Sequence, residues 1–337
     1  MINFIQFTLT RAFLSIITLL IVCFIVFSLM ELVPGTCAER YLAFKNTQGS
    51  QITFEDIAAE EKRLGLDKPF LYRYTKWVSD IVVKGDFGDS CILRISINEL
   101  LSGRFVLSLI IAITALMFSY AIAIPVGIIS ATTKYASLDN ALKFISYLGI
   151  ALPNFLVALC IMLFMTVYYG DTMTGLFSQE YENAPWSSAK VLDFLSRAWL
   201  PIFVLGWNAT AFALQTVRAL MLDENDKLYV MAARARGVSG MSLLWRYPAK
   251  HSLGPVINSI GFDLNRIFSA LPVVALILIL TEAGALLIEA LARSNDQQLA
   301  GAIIFLLTAT IVFVNFVTDI ILAIMDPRIR KGVMGGS

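Results

Sequence analysis

The side chains that enzymes use most often for chemistry are scarce in this 337-residue chain. It has one histidine, His251, and four cysteines, none of them spaced as CxxC, so the sequence predicts no metal centre. The dipeptide Gly-Lys is absent, which excludes a phosphate loop of the form GxxxxGK[ST]. We therefore expect no catalytic residue and no bound metal or cofactor in this chain.

A different chemistry is offered by polar side chains that lie within or beside long apolar stretches. They are Asn208, Asp263, Asn265, Arg266, Asn315 and Asp319. An ionisable group at membrane depth usually faces a cavity or a partner. One interpretation is that these residues line the path of a solute. The other is that they form hydrogen bonds between helices, with Asp263 and Arg266 as a simple boundary pair. The sequence alone leaves both interpretations open.

The segment 218–250 is charged and lies between two long apolar spans. Leu228 to Arg236 contains helix formers throughout, and Gly237 stands where helices commonly end in a left-handed glycine. A second short helix is predicted from Met241 to Arg246, ending before Pro248. This pattern favours a surface that docks on a separate motor protein over a plain basic loop. The candidate docking residues are Tyr229, Ala232, Ala233, Arg234, Arg236, Gly237, Val238 and Leu244.

The elements that must position these residues are membrane-spanning helices. Apolar residues make up 58% of the chain and charged residues 15%, whereas a soluble domain is about a quarter charged. The net charge of +1 gives no field that would favour nucleic acid. About 20 apolar residues cross a bilayer as a helix, so we expect an all-α membrane protein with six transmembrane helices. The six runs lie between residues 11 and 31, 104 and 134, 143 and 171, 197 and 218, 252 and 281, and 299 and 325.

The spans divide the chain into three predicted segments. Residues 1–31 hold the N-terminal segment and the first helix, whose apolar core is too long for a signal peptide. Residues 32–103 form a long loop between helices 1 and 2, in which 54–64 is predicted to be a helix between a capping threonine and a glycine. Residues 104–337 form the core with the remaining five helices.

The short loops predict the orientation. Lysine and arginine are in excess in 134–143, in 218–250 and in the C-terminal tail, and short loops with such an excess stay in the cytoplasm. Six spans then place both termini in the cytoplasm and residues 32–103 outside.

The four cysteines fall into two pairs by position. Cys23 and Cys160 lie inside apolar spans, where a thiol is usually an inert small hydrophobe. Cys37 and Cys91 lie near the two ends of the outer loop, where a periplasm would permit oxidation. We predict a disulfide between Cys37 and Cys91, and two free thiols are the alternative.

Five motifs, in order along the chain, carry a resemblance to a known family. They are Leu64-Gly-Leu-Asp-Lys-Pro69, Gly85-Asp-Phe-Gly-Asp-Ser90, Ala151-Leu-Pro-Asn-Phe155, Tyr229 to Val238, and Asp319 followed by Asp326-Pro-Arg-Ile329. With them the chain resembles the permease subunits of binding-protein-dependent ABC importers, in the family that moves dipeptides, oligopeptides and nickel chelates. The resemblance covers nearly the whole length.

The resemblance implies a type I ABC importer permease fold in the bacterial cytoplasmic (inner) membrane. It makes the docking residues of 218–250 the ATPase-coupling surface, with ATP and Mg bound in partner subunits. The implied partners are a second, homologous permease subunit, two ATPase subunits, and a periplasmic or lipid-anchored binding protein that delivers oligopeptides or similar small solutes.

The sequence departs from the family pattern at three places. Relatives often have a histidine and an asparagine near Tyr247 and His251, a Pro-Gly-Leu-Gly turn where Thr281-Glu-Ala-Gly284 stands, and an acidic residue near Ala275. These departures bear on substrate class and on the gate, and they leave the docking role untouched.

Two other function classes compete with an importer subunit. An ion-coupled secondary transporter would favour inverted repeats and paired buried carboxylates, but no internal repeat is visible and only Asp319 lies deep in a span. An intramembrane enzyme would need a paired catalytic motif, which the single histidine does not provide.

Overall fold

The computed structural model of the protein describes residues 2–32, 34–47, 53–133, 135–170, 173–182, 184–294 and 296–325. Within these ranges the regular secondary structure is helical, apart from one isolated antiparallel bridge between Asp89 and Ser96. The predicted all-α fold class is therefore confirmed. The predicted motif 326–329 and the basic residues of the C-terminal tail lie outside the described residues.

The helices follow one another with short connections. In chain order they are α1 (Ile2–Leu32), α2 (Cys37–Thr47), α3 (Phe54–Leu64), α4 (Phe70–Ser79), α5 (Ile97–Leu101), α6 (Arg104–Thr132), α7 (Ala136–Ala151), α8 (Asn154–Tyr169), α9 (Ser188–Asn225), α10 (Leu228–Ala235), α11 (Gly240–Arg246), α12 (Pro248–Asn258), α13 (Ile260–Leu278), α14 (Ala283–Ile288) and α15 (Gln297–Met325). Short π-helical turns extend α4 over Asp80–Lys84 and α14 over Glu289–Arg293.

Five of the described helices are long and apolar enough to cross a membrane, namely α1, α6, α9, α13 and α15. The pair α7 and α8 passes the same test only together, and its two arms are bent by 101° at the break. Counted as one broken span, this pair is the sixth. The span predicted over 143–171 is therefore present as a broken span and not as one straight helix. Pro153 cannot donate a backbone hydrogen bond and it disfavours helical geometry at Leu152, so the helix ends there and restarts at Asn154.

Packing divides the chain into two compact units. The first comprises Met1–Ala12, Leu109–Leu280 and Phe313–Ser337, and the second comprises Phe13–Ser108 and Thr281–Val312. This division follows packing rather than chain order, so the three segments predicted from the sequence remain a prediction.

In the first unit, α9 is the central helix, and α7, α8, α12 and α13 pack on it. Its apolar and small residues are buried along most of its length. A buried cluster joins α9 to α6 and α12 and consists of Ile128, Val217, Met221, Ala249 and Val256. Residues 228–246, which follow α9 and which we call the docking segment, are thus attached to the central helix of their unit.

The second unit contains the loop between α1 and α6. The predicted helix over 54–64 is confirmed: Thr53 and Asp56 form a capping box, and Gly65 ends the helix with a φ of +70°. The structure joins Cys37 to Cys91 as a disulfide with a Cα–Cα distance of 5.4 Å. Both cysteines are buried beside Ile92.

Candidate functional site

The docking segment is a pair of short helices joined by a tight left-handed turn. Gly237 has a φ of +84°, and its N–H donates to the carbonyl of Arg234 at 2.9 Å. The N–H of Val238 donates to the carbonyl of Ala233 at 3.1 Å. These two bonds form the Schellman arrangement, in which glycine is favoured because it has no Cβ. The helix, glycine and second helix predicted from the sequence are present at α10, Gly237 and α11.

The two short helices share a small core of their own. Val230, Ala233 and Leu243 are buried in it, and Tyr229, Val238 and Tyr247 pack around them. Ala233 is fully buried, so it holds α10 against α11 and presents no surface to a partner. Leu244 packs against the buried cluster of α6, α9 and α12. Of the eight candidate docking residues, four therefore face inward at least in part: Tyr229, Ala233, Val238 and Leu244.

The outward surface of this pair is more apolar than the sequence analysis predicted. Four large apolar side chains are exposed: Leu228 by 79%, Met231 by 47%, Met241 by 64% and Trp245 by 46%. Ala232, Arg234, Arg236 and Gly237 are exposed as well. We call these eight residues the docking face. These four large side chains are not among the residues predicted from the sequence; large apolar residues in a basic loop were the available signal.

Polar contacts fix the docking pair to its surroundings. The Arg234 guanidinium donates to Asn225 Oδ1 at 2.7 Å, and that of Arg236 donates to the Tyr247 hydroxyl at 3.3 Å. The Tyr229 hydroxyl donates to the Glu224 carboxylate. Partial burial, together with the Glu224 carboxylate, raises the pKa of Tyr229 above its ordinary value. Tyr229 therefore keeps its proton at neutral pH and acts as a donor that ties α10 to the end of α9.

A second set of polar residues lines an open pocket of about 310 Å³ in the first unit. Its polar members are Asn154 at the start of α8, Asn208 on α9, and Arg266 and Ser269 on α13. The side-chain amide of Asn208 donates to the carbonyl of Gly149 at 3.3 Å. Pro153, Phe155, Ala270 and Val273 complete the lining. We call this the polar pocket.

Arg266 is held on two sides in this pocket. One guanidinium nitrogen, Nη1, donates to Asp263 Oδ1 at 2.8 Å, and the guanidinium carbon lies 3.7 Å from the centre of the Phe212 ring. The Tyr120 hydroxyl donates to Asp263 Oδ2 at 2.6 Å. Asp263 is therefore buried, and its hydrogen bonds and its ion pair with Arg266 offset the desolvation cost of a charge at this position.

The other predicted path residues do not join this pocket. Asp319 pairs with Arg11 of α1, with Oδ2 and Nη1 3.3 Å apart. Asn315 lies against Gly261, where the amide fills the space that a Cβ would need. Asn265 is exposed on α13 and is not part of the lining. Of the six candidates, the structure brings together Asn208, Asp263 and Arg266.

Two buried carboxylates of the second unit were also missed from the sequence. Glu282 is fully buried and caps α14 through the backbone N–H groups of Gly284 and Ala285, at 2.7 and 3.1 Å. It also accepts a hydrogen bond from Ser108. Burial raises the pKa of Glu282, while these hydrogen bonds oppose the shift. Asp296, the second buried carboxylate, likewise accepts a hydrogen bond from the hydroxyl of Ser90. The sequence signal for the capping role of Glu282 was its position immediately before a helix that begins with the small residues Ala283, Gly284 and Ala285.

Comparisons with known proteins agree with this architecture. The family model described as "Binding-protein-dependent transport system inner membrane component" matches residues 123–331, well over half of the chain. The model for the N-terminal part of such components matches residues 4–95.

The chain is similar along nearly its whole length to curated proteins. It is 28% identical over 321 residues to the oligopeptide transport system permease protein AppB of Bacillus subtilis, covering 95% of this chain and 98% of that one. It is 26% identical over 341 residues to the dipeptide transport system permease protein DppB of Escherichia coli K12, covering 96% and 98%.

The solved structures point to the same fold. An inward-facing structure of the MetNI methionine ABC transporter matches with a TM-score of 0.54 and 16% identity, covering 68% of this chain and 97% of that one. The fold is therefore that of a type I ABC importer permease, and in such transporters the ATPase activity lies in separate subunits. The chain belongs to the family of binding-protein-dependent transport system inner membrane components, as a permease subunit of an ABC importer and not as an enzyme.

Proposed function

We propose that this permease subunit imports peptides or similar small solutes and that its docking face receives the movement of an ATPase subunit. The observation that carries the proposal is the docking face itself: four large exposed apolar side chains on a helix pair with its own core and a Schellman turn. Exposed apolar clusters with a charged surround are typical of protein interfaces. Peptides are the proposed class because AppB and DppB are described as oligopeptide and dipeptide permeases.

The proposed complex contains a second permease subunit, which is a homologous but different chain, and two ATPase subunits that bind ATP and Mg. A periplasmic or lipid-anchored binding protein delivers the solute. Family membership supports a permease, an ATPase and a binding protein as components. The number and identity of the chains belong to the proposal.

The proposed orientation places both termini and the docking face in the cytoplasm of a bacterial cell, with residues 32–103 outside the inner membrane. Three points support it. The docking face must meet subunits that use cytoplasmic ATP, and the segment 218–250 is rich in arginine and lysine, as cytoplasmic loops are. The loop 32–103 carries the Cys37–Cys91 disulfide, which an oxidising compartment permits.

In the proposed mechanism, ATP binding draws the ATPase subunits together and moves the docked helices. The movement passes to α9, since Tyr229 is hydrogen-bonded to Glu224 and Arg234 to Asn225, both at the end of that helix. The helices packed on α9 then rock between inward-facing and outward-facing arrangements. The binding protein releases its solute into the outward-facing cavity, which includes the polar pocket.

Gly237 offers a direct test of this docking role. Asparagine and aspartate both tolerate a left-handed backbone, so Gly237→Asn and Gly237→Asp should cost similar folding energy. The exposed Arg234 and Arg236 favour an acidic partner surface, which an aspartate beside them would repel. We expect the aspartate variant to lose about tenfold or more of the ATPase activity that the loaded binding protein stimulates in the purified complex.

The asparagine variant serves as the matched control and should keep most of that activity. If Gly237→Asp retains wild-type stimulated ATPase activity, the docking assignment is wrong. An equal loss in both variants would also contradict it, since charge at the interface would then be irrelevant.

A further inference from the structure

We propose that the polar pocket is a subsite for a carboxylate of the transported solute, with Arg266 as its main ligand. The inference rests on the proposed import function and adds to it a chemical group and a place. Arg266 stands in an open pocket, and most of its N–H donors have no acceptor among the described residues.

Asp263 uses only a small part of the hydrogen-bonding capacity of Arg266. A guanidinium has five N–H donors in a planar fork. The bond to Asp263 engages Nη1 through one carboxylate oxygen. The second oxygen of Asp263 accepts a bond from the Tyr120 hydroxyl at 2.6 Å, and no bond joins it to Arg266 among the described residues. The remaining donors of Arg266 have no acceptor within the described part of the chain and can take a second carboxylate, and Arg–carboxylate pairs favour that planar geometry.

The ring of Phe212 fixes how the guanidinium is presented. It lies under the guanidinium carbon at 3.7 Å, a stacking distance that leaves the edges of the guanidinium, where the N–H groups lie, unobstructed by the ring. Asp263 occupies one of these edges. Arg266 and its neighbour Ser269 both line the pocket. A bound carboxylate would thus meet an arginine whose rotamer is already set by Asp263 and Phe212, which lowers the ordering cost of binding.

The start of α8 also lines the pocket, through Asn154. The side-chain oxygen of Asn154 is itself buried and closed to solvent, so a solute in the pocket does not meet it. Asn154 also begins α8 after Pro153, which provides no side-chain cap, so the first N–H groups of the helix add a modest preference for negative charge. The pocket therefore offers a carboxylate the N–H donors of Arg266 and the N-terminal end of α8.

A peptide carries such a carboxylate at its C-terminal end. The probes for the test are therefore trialanine and trialanine amide, which differ only in that terminal carboxylate. Uptake is measured in proteoliposomes that contain the complete complex, with each probe at the concentration that half-saturates the binding protein. The readout is the ratio of the two initial rates relative to the wild type, so that any preference of the binding protein itself cancels.

Two substitutions should move this ratio in opposite directions. Arg266→Gln removes the ligand and should lower the trialanine to trialanine amide ratio by about tenfold, the usual size of a hydrogen bond to a charged group. Asp263→Asn keeps Arg266 and removes its competing carboxylate, so it should raise the ratio. The double variant Arg266→Gln/Asp263→Asn leaves no unpaired charge, so its ratio should equal that of Arg266→Gln. Equal ratios would show that the change comes from the loss of Arg266 and not from a folding defect caused by an unpaired Asp263.

Arg293→Gln is the matched control, since Arg293 is an exposed arginine in the second unit. It should leave the ratio unchanged. A ratio that stays at the wild-type value in Arg266→Gln and in the double variant would overturn the subsite, even if both uptake rates fall together; in that case import itself would stand. A wild-type complex that takes up neither probe would contradict the proposed peptide import, and the subsite would fall with it.

Discussion

At the scale of single residues, Asp139 connects three helices at one end of the first unit. Its two carboxylate oxygens accept two parallel bonds from Arg218 of α9, both at 3.0 Å. Ser130 of α6 donates to it at 2.7 Å, and Lys143 of α7 lies 3.0 Å away. The pairing could not be predicted from the sequence, because 79 residues separate Asp139 from Arg218 and only the tertiary fold brings them together. The same reason applies to Arg11 and Asp319.

This charge cluster gives a prediction for stability. Arg218→Met should lower the free energy of unfolding by about 1–3 kcal/mol, because Asp139 loses a two-pronged partner in a partly buried place. Lys84→Met is the control: its partner Asp80 is i,i+4 and the lysine is well exposed, so the change should not shift the melting temperature measurably. Thermal unfolding of the two variants in the same detergent compares them, and equal melting temperatures would show that the Asp139 cluster contributes nothing special.

At the scale of elements, the structures that could be predicted are those whose sequence signals lie close together in the chain. The α10–Gly237–α11 pair follows from helix formers, a glycine and a proline that are close together in sequence, and its bounds differ from the prediction by one residue at two helix ends. The break between α7 and α8 has an equally local signal in Pro153. The burial of Ala233 had no local signal. The three alanines of α10 are the same residue type, and only the position of α11 decides which of them lies inside.

The disulfide is also an element-scale prediction, because it closes the loop that contains α3 and α4. Cys37 and Cys91 are 54 residues apart, so in the chain-entropy model the bond contributes on the order of 4 kcal/mol. We expect a non-reduced digest of the purified protein to contain the linked Cys37 and Cys91 peptides by mass spectrometry. Free alkylation of both cysteines in protein purified without reductant would refute the bond, and Cys160, a free and exposed cysteine, provides the reference for an unpaired thiol.

At the scale of the whole molecule, composition and span length were sufficient to predict the fold class. A membrane requires backbone hydrogen bonds to be satisfied within each helix, so long uncharged runs translate into helices with little ambiguity. The polar pocket was only partly predictable: Asn208, Asp263 and Arg266 were candidates, but Tyr120 and Phe212, which hold Asp263 and Arg266 in place, come from helices distant in sequence.

The central claim is that the docking face of this permease contacts an ATPase subunit. Met231→Cys places a thiol in the middle of that face, in a background where the free native thiols Cys23 and Cys160 are replaced. Phe54→Cys is the control, because this residue is 91% exposed on α3 in the loop proposed to lie outside. The measurement is cross-linking of each thiol, by a short bifunctional reagent, to the ATPase subunit in membranes that contain the complete complex. We predict a cross-link from position 231 that changes in yield when ATP is added, and none from position 54. Absence of a cross-link at 231, or an equal yield at 54, would contradict the account.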